Sequence, residues 1–298
     1  MATNNQRVVM YYQTFTTLDP ILVPHTPVTH LHLSSIHFGT DESNRPYIHL
    51  NNYSPYDEKF DMVWCELDQA HKLGVEIKLM IGGAGGGYST LFSNFKVYYA
   101  LLADLLRNKH IISGVDLDIE EGVSLENVKM LMRTLKEDFG NKLSISMAPV
   151  QSSLESDEPG MGGFVYKDLL QSPEGKLIDY FNVQFYSDFS FEAYQRIVKN
   201  GYLPEMIVMG AMSGEKKDAE IAKCVAEYKN NFGGVFVWEY YSAVPSSFRW
   251  AEDVSMLIHE PYSEENTSVF SLSEVWEYIQ YMLFLGGPKM GRYHSLSE

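Results

Sequence analysis

The sequence predicts one α/β domain folded as a (β/α)8 barrel of the TIM type, with a C-terminal helical extension. Three observations predict it. Eight short apolar, β-rich runs recur along the chain with helix-forming stretches between them, the pattern of repeated parallel βα units. The length of 298 residues suits one such barrel. One run, 113–120 (SGVDLDIE), ends in acidic residues, and a barrel collects its reactive groups at the carboxyl ends of its strands. The rival arrangement of the same units is an open doubly wound sheet.

The elements follow in order. Residues 7–15 (RVVMYYQTF) read as the first strand and 29–38 (THLHLSSIHF) as the second, with a loop expected over 37–59. Residues 61–74 form an amphipathic helix stopped by Gly74. The third strand, 76–81 (EIKLMI), runs into Gly82-Gly83-Ala84-Gly85-Gly86-Gly87, and a helix follows through 95–109. The acidic run is the fourth strand. A helix at 126–139 leads to the fifth strand at 142–150 (KLSISMAPV). The sixth strand is 180–186 (YFNVQFY), the seventh 206–212 (MIVMGAM) and the eighth 234–238 (GVFVW), with helices at 191–200, 215–232 and 246–258. The barrel is expected over 1–260. The extension, 261–298, is expected to be a helix at 271–285, capped by Ser271 and Glu274, and then a loose tail.

The acidic strand organises the rest. Successive strand side chains point to opposite faces, so Asp116, Asp118 and Glu120 share one face and Val115, Leu117 and Ile119 the other. The apolar residues that lead into this strand place it in a buried interior. Buried carboxylates are costly unless paired or hydrogen-bonded, and chemistry is the usual reason to bear that cost. The glycine run after the third strand lacks the Gly-Lys-Ser/Thr of a phosphate loop. It reads instead as close backbone approach to a ligand at a strand tip. Tyr186 and Trp238, at the ends of the sixth and eighth strands, converge on the same mouth.

The run SGVDLDIE resembles the DGxDxDxE signature of glycoside hydrolase family 18, the chitinases and endo-β-N-acetylglucosaminidases. The last three acids match, and Ser113 stands in place of the first. VQFY at 183–186 is similar to the sixth strand of class III chitinases in that family. Met80-Ile81-Gly82-Gly83 keeps the glycines of the family's SxGG motif without its Ser. The resemblance implies retaining, substrate-assisted cleavage of β-1,4 bonds at N-acetylglucosamine, as in chitin or chito-oligosaccharides. Glu120 would be the proton donor. Asp118 would orient the acetamido group, Asp116 would share a proton with Asp118, and Tyr186 would hold the acetamide oxygen. Trp238, Gln184, Tyr11, Gly82, Gly83 and Met147 are the expected sugar-binding positions. An endo-β-N-acetylglucosaminidase acting on N-glycans, or a chitinase-like protein that binds glycans without turnover, are the alternatives.

Composition agrees with a neutral glycan as partner. A formal charge of −16 argues against nucleic acid and against an anionic membrane surface. Tyr 20, Phe 16 and Trp 4 supply flat rings, although most will fill the core. Two cysteines, Cys65 and Cys224, exclude a disulfide scaffold and are expected as free thiols. No signal-like segment opens the chain and no apolar run is long enough to span a membrane. A cytoplasmic protein is therefore expected, while a chain with its signal removed would read the same. No cofactor and no metal are expected, although His30 and His32 share a strand face and a metal pair there is the minor alternative. A monomer or weak oligomer is expected.

Overall fold

The computed structural model describes residues 6–212 and 217–259. The predicted helix at 271–285 and the tail beyond it lie outside the described residues.

Nine strands form one sheet: β1 (Arg7–Tyr12), β2 (His30–Thr40), β3 (Pro46–Leu50), β4 (Glu76–Gly82), β5 (Ile112–Asp118), β6 (Ser144–Met147), β7 (Tyr180–Gln184), β8 (Ile207–Met212) and β9 (Gly234–Trp238). Their order is β1-β9-β8-β7-β6-β5-β4-β2-β3, and β1 also pairs with β2, so eight strands close on themselves. All pairs in the ring are parallel. The expected (β/α)8 barrel is what forms, and the open doubly wound sheet is excluded by the β1–β2 closure. The ninth strand, β3, is a correction to the loop expected at 37–59. It folds back antiparallel on the outer half of β2, from Ile36↔Leu50 to Thr40↔Pro46. Asp41 Oδ1 makes the turn, accepting from the N–H groups of Ser43 at 2.8 Å and Arg45 at 2.9 Å.

Helices α1 (Asp61–Lys72), α2 (Tyr88–Ser93), α3 (Phe95–Asn108), α4 (Leu125–Phe139), α5 (Ser152–Glu155), α6 (Tyr166–Gln171), α7 (Phe191–Lys199), α8 (Asp218–Tyr228) and α9 (Ser247–His259) connect the strands. Side-chain caps fix three of their starts. Ser124 accepts from the N–H of Asn127 before α4, Ser190 from that of Ala193 before α7 and Ser246 from that of Arg249 before α9, satisfying donors that a helix start otherwise leaves open.

The core divides into two layers. The outer faces of the strands pack on the helices in one large cluster that includes Val115, Leu117 and Ile119. The inner faces meet at the barrel axis in a smaller one: Val9, Tyr11, Met80, Tyr180, Val208 and Phe236, with Tyr186 and Trp238 against it. Strand alternation thus turns Asp116 and Asp118 inward, as their spacing predicts.

Candidate active site

The carboxyl end of β5 carries the site. Asp116 is fully buried on the axis and is met by donors from four other strands. Tyr11 of β1 donates to its Oδ2 at 2.7 Å. Ser146 of β6 donates to its Oδ1 at 2.6 Å and Asn182 of β7 at 3.0 Å. His32 Nδ1 of β2 lies 3.3 Å from Oδ2. Burial alone raises the Asp116 pKa, but His32 and the Ser146 and Tyr11 hydroxyls outweigh it and hold the group down to about 2. His32 is itself pushed below its ordinary value by burial, so at neutral pH it is an uncharged ring. In that state Nδ1–H donates to Asp116, and Nε2 accepts from the Tyr180 hydroxyl at 3.2 Å.

Two residues on, Asp118 has the opposite character. Burial pushes its carboxyl well above the usual range, and the nearby Glu120 and Asp116 charges push the same way. Within the pair the protonated form is thus favoured at Asp118 and the anionic form at Asp116. Glu120 follows just past the strand end, half-buried and accessible. Gln184 of β7 ties the two together. Its Nε2 lies 3.2 Å from Asp118 Oδ1, 3.5 Å from Glu120 Oε1 and 2.8 Å from the Ala148 carbonyl.

The glycine run explains itself against β5. Gly82 and Gly83 have φ +91° and +86°, and a Cβ on Gly82 would stand 2.4 Å from the Asp118 carbonyl oxygen. Gly83 N–H donates to that same carbonyl at 2.9 Å. The backbone of the loop presses on the acid that it positions, which only glycine permits. Further along, the Gly86 carbonyl meets His37 Nδ1 at 2.8 Å.

Above the acids opens a cavity of about 450 Å³, lined by Gln13, Ser35, His37, Met80, Gly82, Gly83, Ala84, Gly85, Asp118, Glu120, Gln184, Tyr186, Met212 and Trp238. This is the size of an ordinary small-ligand site. Asp118, Glu120, Tyr186, Gln184, Trp238, Gly82 and Gly83 all line it, as the sequence predicts. Burial pushes the Tyr186 hydroxyl above its ordinary value, so it is a donor at neutral pH. Asp116 is fully buried and does not line the cavity.

Two expectations are corrected. Tyr11 is buried below the cavity and contacts Asp116, not the space where a sugar would lie. Met147 is fully buried in the outer layer between strands and helices. Ser146 is the inward residue of β6, and alternation sends Met147 the other way.

Sequence reasoning missed His32, Ser146 and Asn182 as partners of Asp116. The signal was spacing by two: Asn182-x-Gln184-x-Tyr186 is one inward face, and His30-x-His32 another. Ser113 donates to the Ile77 carbonyl at 3.1 Å, at the start of β5. Among the described residues, no group of three or more His, Cys, Asp or Glu side chains is arranged to hold a metal. His32 is engaged by Asp116 and Tyr180. Cys65 and Cys224 are free, as expected. Among the described residues no helix is long and apolar enough to cross a membrane.

A closed barrel with two carboxyl groups, Asp118 and Glu120, at one strand end in a cavity also lined by Tyr186 and Trp238 has its reactive groups where barrel enzymes place them. Comparison with known proteins agrees. Residues 7–211 match the family described as glycosyl hydrolases family 18. A fungal endo-β-N-acetylglucosaminidase of family 18 is 30% identical, with a TM-score of 0.75 over 86% of this chain and 99% of that one. The chitinase ChiC from Aspergillus fumigatus is 30% identical, with a TM-score of 0.74 over 85% of this chain and 100% of that one. A family 18 chitinase from Pseudoalteromonas aurantia shares the fold at 18% identity and a TM-score of 0.66, over 85% of this chain and 100% of that one. No curated protein matches the sequence. The chain belongs to glycosyl hydrolase family 18, and it is a glycosidase.

Proposed function

We propose that the enzyme cleaves β-1,4 bonds at N-acetylglucosamine with retention, using the substrate's own acetamido group as nucleophile. The observation that carries this reading is the acid inventory of the cavity. Its lining includes two carboxyl groups, Asp118 and Glu120, and both come from the same strand end. A protein nucleophile would need a second carboxylate across the bond from the acid, about 5–5.5 Å away. Neighbouring carboxylates are engaged elsewhere. Glu121 accepts from the N–H of Tyr88, and Glu239 from the N–H groups of Gln13 and Thr14. The nucleophile is then left to the sugar.

In this mechanism Glu120 gives its proton to the glycosidic oxygen as the bond to the anomeric carbon breaks. The acetamido oxygen bonds to that carbon from the other face. Asp118 accepts the acetamide N–H, and the Tyr186 hydroxyl donates to its oxygen. The single negative charge of the Asp116–Asp118 pair faces the positive charge that grows on the cyclised ring. Such preorganised contacts contribute on the order of 3 kcal/mol each. Water then opens the ring, its proton passing to Glu120, and restores the starting configuration. Trp238 supplies the floor, its ring 5.3 Å from that of Tyr11.

Chito-oligosaccharides are the first substrate to test. The chitobiose core of N-glycans presents the same linkage, and the 30% identity to an endo-β-N-acetylglucosaminidase makes it the second. The Glu120→Gln variant should lose hydrolysis of chitotetraose and of the N-glycan core alike. A thiazoline mimic of the cyclised ring should inhibit the wild type. Parent-rate turnover by Glu120→Gln, or indifference to the thiazoline, would overturn the reading.

A further inference from the structure

Beneath the carboxylate pair, the barrel axis holds a lysine that the mechanism above does not use. Lys78 of β4 is fully buried. Its Nζ lies 3.1 Å from Ser146 Oγ, and that hydroxyl lies 2.6 Å from Asp116 Oδ1. An ammonium has only donors and a carboxylate only acceptors, so the hydroxyl between them can accept from Lys78 and donate to Asp116, with the Tyr180 hydroxyl a further partner of Ser146. Gly114 makes the space: a Cβ there would stand 3.1 Å from Lys78 Cε.

We infer that Lys78 is a positioning residue for the acids: through Ser146 it orients the Asp116 carboxylate and biases the shared proton toward Asp118. The kinetic part of this inference rests on the substrate-assisted reading. The placement of the proton does not.

The surroundings single Lys78 out. From β2, His32 touches Asp116 as a neutral ring, and His30 is turned to Glu76 of β4 at 3.4 Å. From β1, Arg7 lies over the Tyr180 ring at 4.2 Å and donates to the Glu205 and Gly233 carbonyls. From β7, Tyr180 presents its ring 4.1 Å from Lys78 Nζ, and Asp179 just before that strand adds a distant negative charge. The inner faces of β8 and β9 offer Val208 and Phe236. Lys78 is thus joined to Asp116 by a hydrogen-bond chain. Burial pulls it down to about 7, with Asp116 as the main opposing influence, so its charge changes near neutral pH.

A buried lysine with a merely structural role is replaceable by an apolar side chain of its length, often with gained stability. The inference predicts otherwise. In wild-type protein labelled with ¹³C at aspartate, and assigned through Asp116→Asn and Asp118→Asn, both carboxyl signals should move with the same midpoint as the Lys78 Nζ signal across neutral pH. In Lys78→Met, and in Lys78→Gln, which keeps a donor for Ser146 without the charge, the Asp116 midpoint should rise by about one unit or more. Where pH falls through the raised Asp116 midpoint, kcat should drop by up to about tenfold per unit of that shift with KM nearly unchanged, and the gap should close toward neutrality, where Asp116 is anionic with or without the Lys78 charge. Carboxyl signals that ignore the Lys78 titration in the wild type overturn the inference, and that measurement needs neither a variant nor turnover. Signals that move together in a protein that hydrolyses no amino-sugar substrate would retain the proton assignment and reject the proposed function.

Discussion

The Tyr11 hydroxyl donates across the barrel to Asp116 Oδ2 at 2.7 Å, joining the first strand to the acid under the active site. A phenol of raised pKa is an obligate donor here, and burial is the main cause of that rise. Tyr11→Phe keeps the ring and its packing on Phe236 and Trp238 and removes one hydrogen bond to a buried anion. Asp116 has a folded pKa near 2, below its ordinary 3.8, so its contribution to stability is present above about 4 and lost as pH falls toward 2. The variant should therefore be less stable by about 1–3 kcal/mol at neutral pH, and the difference should vanish in strong acid. Urea unfolding at neutral and acid pH checks this.

Asp118 has the reverse linkage. Its folded pKa is raised, chiefly by burial, so above the ordinary carboxylate range the unfolded chain has lost a proton that the folded one keeps. Stability contributed by the protonated form is complete at low pH and declines as pH rises toward the folded value. Asp118→Asn is neutral in both states and can still accept from Gln184. It should be more stable than the wild type at pH 7, by about 1.4 kcal/mol for each pH unit between the unfolded pKa and pH 7, or the folded pKa if that is lower. The gain should disappear below about pH 4, while hydrolysis is lost. Thermal melts across pH decide it, and an equal or lower melting point at neutral pH would contradict the proton on Asp118.

These two acids mark how far the sequence could be read. The period of two placed Asp116, Asp118 and Glu120 on one face without any knowledge of the fold, because alternation is a local property of a strand. What surrounds Asp116 was not local. Ser146 and Asn182 are ordinary polar residues in short apolar runs, and only closure of the barrel brings them within hydrogen-bond distance of β5. Met147 failed for a related reason: the run at 142–150 gives its location but not the parity of its side chains. The hairpin at β3 was hidden because Tyr47 and His49 stack on each other at 5.1 Å, giving a half-exposed face that reads as loop.

Tyr186 projects into the cavity from just beyond β7, its ring 6.3 Å from that of Phe236. Removing its hydroxyl leaves that ring contact intact. Tyr186→Phe should therefore fold as the wild type does. If the hydroxyl meets the acetamide oxygen as it attacks, kcat should fall by roughly 10²–10³, the cost of one such donor, with a small change in KM. Steady-state kinetics on chitotetraose test this. A rise in KM at constant kcat would make Tyr186 a binding residue only.

Glu239 closes the mouth on the side opposite β5. Its Oε2 accepts from the backbone N–H groups of Gln13 at 2.9 Å and Thr14 at 3.0 Å, and its Oε1 pairs with the Thr14 hydroxyl. The carboxyl thus anchors the segment after β1, and Gln13 of that segment lines the cavity. Glu239→Ala would leave two N–H groups without their acceptor, at about 1–3 kcal/mol each where they stay dry. Glu239→Gln keeps the oxygen for both and offers its amide N–H to Thr14. The alanine variant should lose several degrees of melting temperature, since about 1 kcal/mol corresponds to 2–4 °C in a chain of this class. It should also show a higher KM as Gln13 loosens. The glutamine variant should retain most of both. Equal behaviour of the two variants would mean that water replaces the carboxylate, and that this side of the mouth is held by packing.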